Sequence, residues 1–312
     1  MPAAGTGAGM GGAAGVAGSA GGAAGSGATA ALQTPVVRGD RCVLALGPVV
    51  MEVVPAQGGR ITSLRFDQRE LLTGPSVNAI NYGSTFWTSP QADWSWPPIA
   101  AIDSAAFSVA AAPDTECVLQ GMKVVDGAHP NVDGISIEKR FGADAAEQAL
   151  VVQYSIVNQG PSARRLAPWE ITRVAPGGLT FYASDSAPSG DRKPVTTTAG
   201  GCVWLEHGAS VPVDSKLFGD GKGWLAHVTP DDVLLLKVFD DVAPNAAANG
   251  EAEVELYTGA GYDEIESQGS YAEIQPGAKR DWTVRWYVRA LPDSVARTAG
   301  NPELVAFVEG LL

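Results

Sequence analysis

Gly261-Tyr-Asp-Glu-Ile-Glu-Ser-Gln-Gly-Ser-Tyr-Ala-Glu-Ile-Gln-Pro-Gly277, followed by Asp281-Trp-Thr-Val-Arg-Trp-Tyr-Val-Arg289, reads as two strands on either side of a Pro276-Gly277 turn. The second strand alternates Trp282, Val284, Trp286 and Val288 on one face, a pattern suited to core packing. The first sets Glu264 and Glu266 on one face and Ile265 on the other, because strand side chains alternate. Two carboxylates on one face need water, hydrogen-bond donors or a ligand, since an unpaired buried charge is costly. A ligand-facing sheet and a plain solvated strand both fit that pattern.

Working outward, short Val-, Ile- and Leu-rich runs recur along most of the chain. They include Val43-Leu-Ala-Leu, Val49-Val-Met-Glu-Val-Val, Arg60-Ile-Thr-Ser-Leu-Arg-Phe, Leu150-Val-Val-Gln-Tyr-Ser-Ile-Val, Trp224-Leu-Ala-His-Val and the strand from Ala252 to Tyr257. Gly-, Pro- and Asn-rich turns such as Gln57-Gly-Gly and Asn158-Gln-Gly-Pro separate them, and the 312 residues hold 38 Gly and 21 Pro. Only the segment after Asn301-Pro302 offers a helix, with Asn301 as N-cap and Pro302 at the first helical position. Residues 1–33 are nearly all Ala, Gly and Ser and cannot bury enough apolar surface to offset their ordering entropy. The expectation is a disordered tether, 1–33, ahead of one all-β domain, 34–312, a large antiparallel β-supersandwich.

A net charge of −13 argues against binding nucleic acid or an anionic membrane surface, both of which favour clustered Lys and Arg. The longest apolar run, Val233-Leu-Leu-Leu, stops at Lys237, so no membrane-spanning segment is expected. Cys42, Cys117 and Cys202 lie far apart and show no metal-ligand spacing; one disulfide with a free thiol, and three buried thiols, both remain open. No phosphate loop, dinucleotide fingerprint or serine elbow occurs, and neither a metal nor a cofactor is expected.

Tyr82 to Pro98 reads as an aromatic loop. Its Trp87, Trp94 and Trp96, with Gln91 and Asp93 between them, suit a pocket that stacks indoles on the apolar face of a sugar while polar groups bind hydroxyls. The same tryptophans also suit a plug at the end of a sandwich. Arg60, just past a Gly-Gly turn, is a candidate ligand contact, with a surface ion pair as the alternative.

Several local sequences resemble the galactose mutarotase-like superfamily. Gln57-Gly-Gly-Arg-Ile-Thr-Ser-Leu with Glu70-Leu-Leu is similar to its opening strand, and Val151-Val-Gln-Tyr-Ser-Ile-Val-Asn-Gln-Gly-Pro to its central strand. Glu266-Ser-Gln resembles the Glu-x-Gln in which aldose 1-epimerases carry a general base, and the Pro-Gly turn and Trp-rich last strand follow in order. Phe86-Trp-Thr-Ser-Pro-Gln-Ala-Asp-Trp-Ser-Trp-Pro-Pro together with Ala167-Pro-Trp-Glu-Ile-Thr-Arg-Val resembles an uncharacterised bacterial branch of that superfamily. The likeness spans roughly Val43 to Arg289.

The resemblance implies a sandwich of two curved sheets that binds carbohydrate on one face. It makes Glu266 the candidate base. Glu170, alone or with Arg173 or His129, is the candidate for the opposing catalytic group, with a structural salt bridge to Arg173 or Arg60 as its alternative. Trp169, Arg173 and Glu264 join Arg60, Trp87, Gln91, Trp94 and Trp96 as candidate substrate contacts. The family's histidine acid is missing, because Pro168-Trp169-Glu170 stands where a histidine motif belongs; His129, His207 and His227 all lie in other contexts. Three functions stay open: a sugar epimerase, a carbohydrate-binding module without catalysis, and a glycoside hydrolase or lyase built on Glu170 and Glu266. The Ala/Gly/Ser segment resembles tethers of bacterial surface lipoproteins, which implies an extracellular or periplasmic, lipid-anchored protein; a monomer is expected.

Overall fold

The computed structural model describes residues 32–38, 40–208 and 211–312. Two antiparallel sheets make a β-sandwich, as the strand and turn pattern predicts. The first has eleven strands, and its main path runs Leu32–Arg38, Arg41–Leu46, Val49–Val54, Arg60–Phe66, Ser84–Ser89, Arg164–Val174, Asp263–Gln268, Val254–Thr258, Ser215–Gly219. The second has ten, in the order Thr197–Ala199, Cys202–Glu206, Leu179–Ala183, Trp224–Val228, Val233–Val238, Lys279–Ala290, Ala149–Asn158, Ile135–Asp144, Cys117–Gln120, Ser108–Ala110. The expected tether falls outside the described residues except for Leu32 and Gln33, which open the first strand.

Alternation sorts the strand residues between two environments. Phe86 stacks on Tyr154 of the second sheet, with ring centres 4.5 Å apart, and Trp282 and Trp286 are buried in the same core. Gly277, at φ 76°, takes the left-handed conformation that turns the chain from Ala272–Ile274 into Lys279–Ala290. A Cys42–Cys117 disulfide joins the two sheets, and Cys202 is a buried free thiol. The Pro302–Glu309 helix forms as expected, with the Asn301 side chain accepting the Glu303 N–H. Among the described residues no helix is long and apolar enough to cross a membrane.

One expectation needs correction. The aromatic segment is not a loop throughout: Ser84–Ser89 is a fully buried strand between Arg60–Phe66 and Arg164–Val174. Thr, Phe and Trp favour a pleated surface, and this segment packs Phe86 against one layer and Trp87 against another. The loop begins only at Pro90.

Candidate functional site

Five neighbouring strands of the first sheet form the floor of the site: Ser84–Ser89, Arg164–Val174, Asp263–Gln268, Val254–Thr258 and Ser215–Gly219. Their register decides which side chains share a face. Trp87 pairs with Trp169, Arg173 with Glu264, Glu264 with Tyr257, Glu266 with Glu255, and Lys216 with Tyr257. Directly paired antiparallel residues project to the same side. All of these side chains therefore leave the face turned away from the second sheet. The segment after Pro90 folds back over that face, bringing Gln91, Trp94 and Trp96 onto it.

The result is a cavity of about 290 Å³ lined by Asn81, Trp87, Gln91, Trp96, Trp169, Lys216, Tyr257, Tyr262 and Glu264. That volume is near the lower bound of about 300 Å³ for small-molecule pockets. Trp87 meets Trp169 edge to face at 5.3 Å and Trp96 at 6.0 Å. Trp96 is 54% exposed, so its indole forms part of the rim.

The polar groups are held in place from below. Arg173 Nε donates to Glu264 Oε1 at 2.8 Å, its Nη1 donates to Thr85, and its guanidinium lies 5.2 Å from the Trp87 ring. Lys216 Nζ reaches Glu255 Oε2 at 2.7 Å and both oxygens of Glu266 at 2.9 and 3.0 Å. Trp169 Nε1 donates to Glu266 Oε2 at 2.9 Å. Burial pushes Glu266 up to about 7; Lys216 opposes the rise, while Glu255 and Glu264 add to it. Burial likewise pushes Glu255 up to about 7 against the pull of Lys216. For Lys216 itself, burial works against the charge, but the neighbouring carboxylates outweigh it and hold the ammonium above its ordinary range.

The sequence-derived candidates divide clearly. Trp87, Gln91, Trp96, Trp169 and Glu264 line the cavity, and Arg173 anchors Glu264 beneath it. Trp94 is buried behind them, donating to the Thr88 carbonyl and packing on Trp87 and Trp169. Arg60 is buried in an ion pair with Asp103, donates to the carbonyls of Ile80 and Tyr82, and lies 4.3 Å from the Tyr82 ring centre. Asp103 also accepts the Trp87 indole N–H, so Arg60 acts on the site through Trp87. Glu266 lies under the cavity with both oxygens occupied by Lys216 and Trp169.

Glu170 is elsewhere. It projects between the sheets, fully buried, with Tyr154 Oη at 2.6 Å and Lys237 Nζ at 2.7 Å. It cannot oppose Glu266 across a bound sugar. The expected Glu170/Glu266 pair therefore does not form, because residues offset by one in register leave opposite faces of the sheet. Nor does a histidine replace it. His207 and His227 are buried together on Thr180, with His207 also 3.0 Å from Asp263, and His129 bonds Asp126.

Lys216, Tyr257, Tyr262 and Asn81 escaped the sequence reading. Tyr262 stands two residues before Glu264, on the same alternating face, and that spacing was a usable signal. Lys216 sits in Ser215-Lys-Leu-Phe-Gly, where polar and apolar residues do not alternate, so the sequence does not mark the face it takes.

No protein-family model and no curated protein sequence matches the chain. Solved structures do. A galactose mutarotase-like protein from Lactobacillus casei superposes with a TM-score of 0.58 at 10% identity, covering 80% of this chain and 100% of its own. The chain has the galactose mutarotase-like fold. A candidate aldose 1-epimerase from Escherichia coli K12 matches at TM-score 0.55 and 14% identity, over 80% of this chain and 98% of that one. A TPR-domain containing protein from Parabacteroides distasonis also matches, at TM-score 0.55 and 15% identity; 83% of this chain aligns with 49% of that longer one. These neighbours share the fold with this chain, and the opening resemblance agrees with them on it.

Proposed function

We propose that this domain binds carbohydrate in the cavity lined by Trp87, Trp96 and Trp169, without acting on it as an aldose 1-epimerase. The observation that carries this reading is three indoles converging on one small cavity with Glu264, Lys216, Asn81 and Gln91 around it. Indole faces suit the C–H face of a sugar ring, and the polar groups suit its hydroxyls. Mutarotation needs a base at the anomeric hydroxyl and an acid at the ring oxygen, each positioned within hydrogen-bond reach. Here Glu266 is tied to Lys216 and Trp169, Glu170 is on the far side of the sheet, and none of the three histidines lines the cavity.

A second reading, sugar epimerisation, draws on one observation: burial holds Glu266 at about 7, where a carboxyl exchanges protons most effectively near neutral pH. In that case Lys216 must give up its bond to Glu266 when substrate enters. The Cys42–Cys117 disulfide favours an oxidising compartment, in keeping with export to the periplasm or cell surface. A glycan array on the purified domain tests binding, and NMR anomer exchange on each bound sugar tests turnover. Binding with anomer exchange no faster than in buffer is the expected result; no glycan bound removes the reading, and accelerated exchange replaces it with the second.

A further inference from the structure

A second cavity, of about 530 Å³, adjoins the tryptophan-lined one, and Phe218, Asp191, Asp220, Glu251 and Glu253 are among its lining residues. Two residue pairs join the cavities. Lys216 of the first cavity and Phe218 of the second lie two positions apart on Ser215–Gly219, so they share a face, and Lys216 Nζ is 5.7 Å from the Phe218 ring centre. On the other side, Glu251 of the second cavity accepts the backbone N–H of Gln91, which lines the first, at 2.8 Å. Two strand positions span about 7 Å, so the two spaces are close neighbours along one groove.

Their chemistry differs. Among the described residues, four carboxylates and no Lys, Arg or His line the second cavity. Lys193 and Lys222, from flanking segments, are engaged by the Pro188 carbonyl and by Asp185. Glu253 is 2% exposed; its Oε1 accepts the Gly223 N–H at 2.9 Å, and its Oε2 makes no well-aligned hydrogen bond, with the backbone N–H groups of Gly221 and Val242 close to the carboxylate. Tyr182 Oη is also buried without a partner, against Gly219 at the cavity wall; a Cβ at position 219 would lie 2.1 Å from that oxygen. Burial pushes the Glu253 carboxyl up to about 7. A buried carboxylate without a countercharge is costly, and a ligand that brings a cationic donor relieves that cost. Phe218 supplies an apolar wall beside it.

We propose that the second cavity is a sugar subsite for an amine-bearing unit, such as an unacetylated hexosamine, whose neighbour in the same glycan occupies the tryptophan-lined cavity. The proposal rests on the carbohydrate reading above. In it the ammonium faces Glu253 and the acidic wall, the ring packs on Phe218, and Lys216 marks the passage to the first subsite.

Calorimetric titration at low ionic strength with four probes tests it: glucosamine, glucose, the glucosamine disaccharide of chitosan, and cellobiose, its hydroxyl counterpart. The chitosan disaccharide should bind about tenfold or more tighter than either cellobiose or glucosamine. Phe218→Ala and Glu253→Gln should each abolish that gain while leaving the affinity for glucose unchanged. Phe218→Ala serves as the check on folding, since Phe218 is half-buried at the groove rather than in the core. Equal binding of chitosan disaccharide and cellobiose, disaccharides no tighter than monosaccharides, or a gain that survives both variants overturns the subsite while leaving the carbohydrate reading standing. Failure of all four probes, together with an empty glycan array, removes the carbohydrate reading and the subsite with it.

Discussion

Glu170 and Glu266 lie on adjacent, hydrogen-bonded strands yet project from opposite faces of the sheet. Glu266 pairs in register with Ile171 and Glu170 with Ser267. One residue of offset separates a carboxylate under the tryptophan-lined cavity from one buried between the sheets with Lys237 and Tyr154. Glu170 and Glu266 therefore do not face one another across the cavity, and each has its own testable role.

Glu170 is a structural ion-pair partner. Glu170→Gln leaves the buried Lys237 ammonium without its countercharge, and Thr172 is its remaining hydrogen-bond partner. Breaking one side of a buried pair costs about 3–5 kcal/mol. Urea unfolding of the variant should show a loss of this order with ligand affinity unchanged in the fraction that remains folded. Wild-type stability would refute the assignment.

Glu255 and Glu266 make the fold sensitive to pH in a direction opposite to the usual carboxylate. Their folded-state values, about 7, lie above the ordinary 4.5, so the folded protein holds protons that the unfolded chain releases. Their contribution is therefore fully present below about 4.5 and is lost as pH rises through about 7. His227 works the other way: burial holds it well below its ordinary 6.5, so its contribution is present above 6.5 and lost as pH falls. Thermal midpoints measured between pH 5 and 8 should separate the two. Glu266→Gln should flatten the decline toward alkaline pH, and an unchanged slope would show that Glu266 ionises freely in the folded state.

The disulfide prediction is independent of the site. Cys42 and Cys117 are 75 residues apart, and closing a loop of that length stabilises a fold by about 4 kcal/mol in the chain-entropy description. Reduction, or a Cys42→Ser/Cys117→Ser double variant, should lower the thermal midpoint by several degrees. Cys202 should resist thiol reagents until the protein unfolds, since it is buried and burial pushes its thiol up to about 11.

The fold was legible because it depends on local chemistry: turn residues at Gln57-Gly-Gly and Pro276-Gly277, and alternation in Glu264-Ile265-Glu266 and Trp282-Thr283-Val284. The site was legible only in part. Trp87, Trp96 and Glu264 stood out through residue type. For Glu170 the sequence left catalysis and a salt bridge both open, because a glutamate between Trp169 and Ile171 looks the same in sequence whichever face it takes; the register with Ser267 and the pairing with Lys237 decide it. Lys216 was invisible for a related reason. Its meaning comes from Glu255 and Glu266, 39 and 50 residues away, which strand pairing brings to its ammonium.

Trp96 offers the most direct test of carbohydrate binding in the tryptophan-lined cavity. Its indole is exposed at the rim, so Trp96→Ala removes a ligand-facing ring with little effect on folding. Affinity of wild type and variant for the strongest glycan-array hit should be measured by calorimetry, alongside thermal midpoints. The account predicts a loss of about 1–3 kcal/mol in binding, the usual worth of an aromatic anchor, with midpoints nearly equal. Unchanged affinity for the same glycan would contradict it.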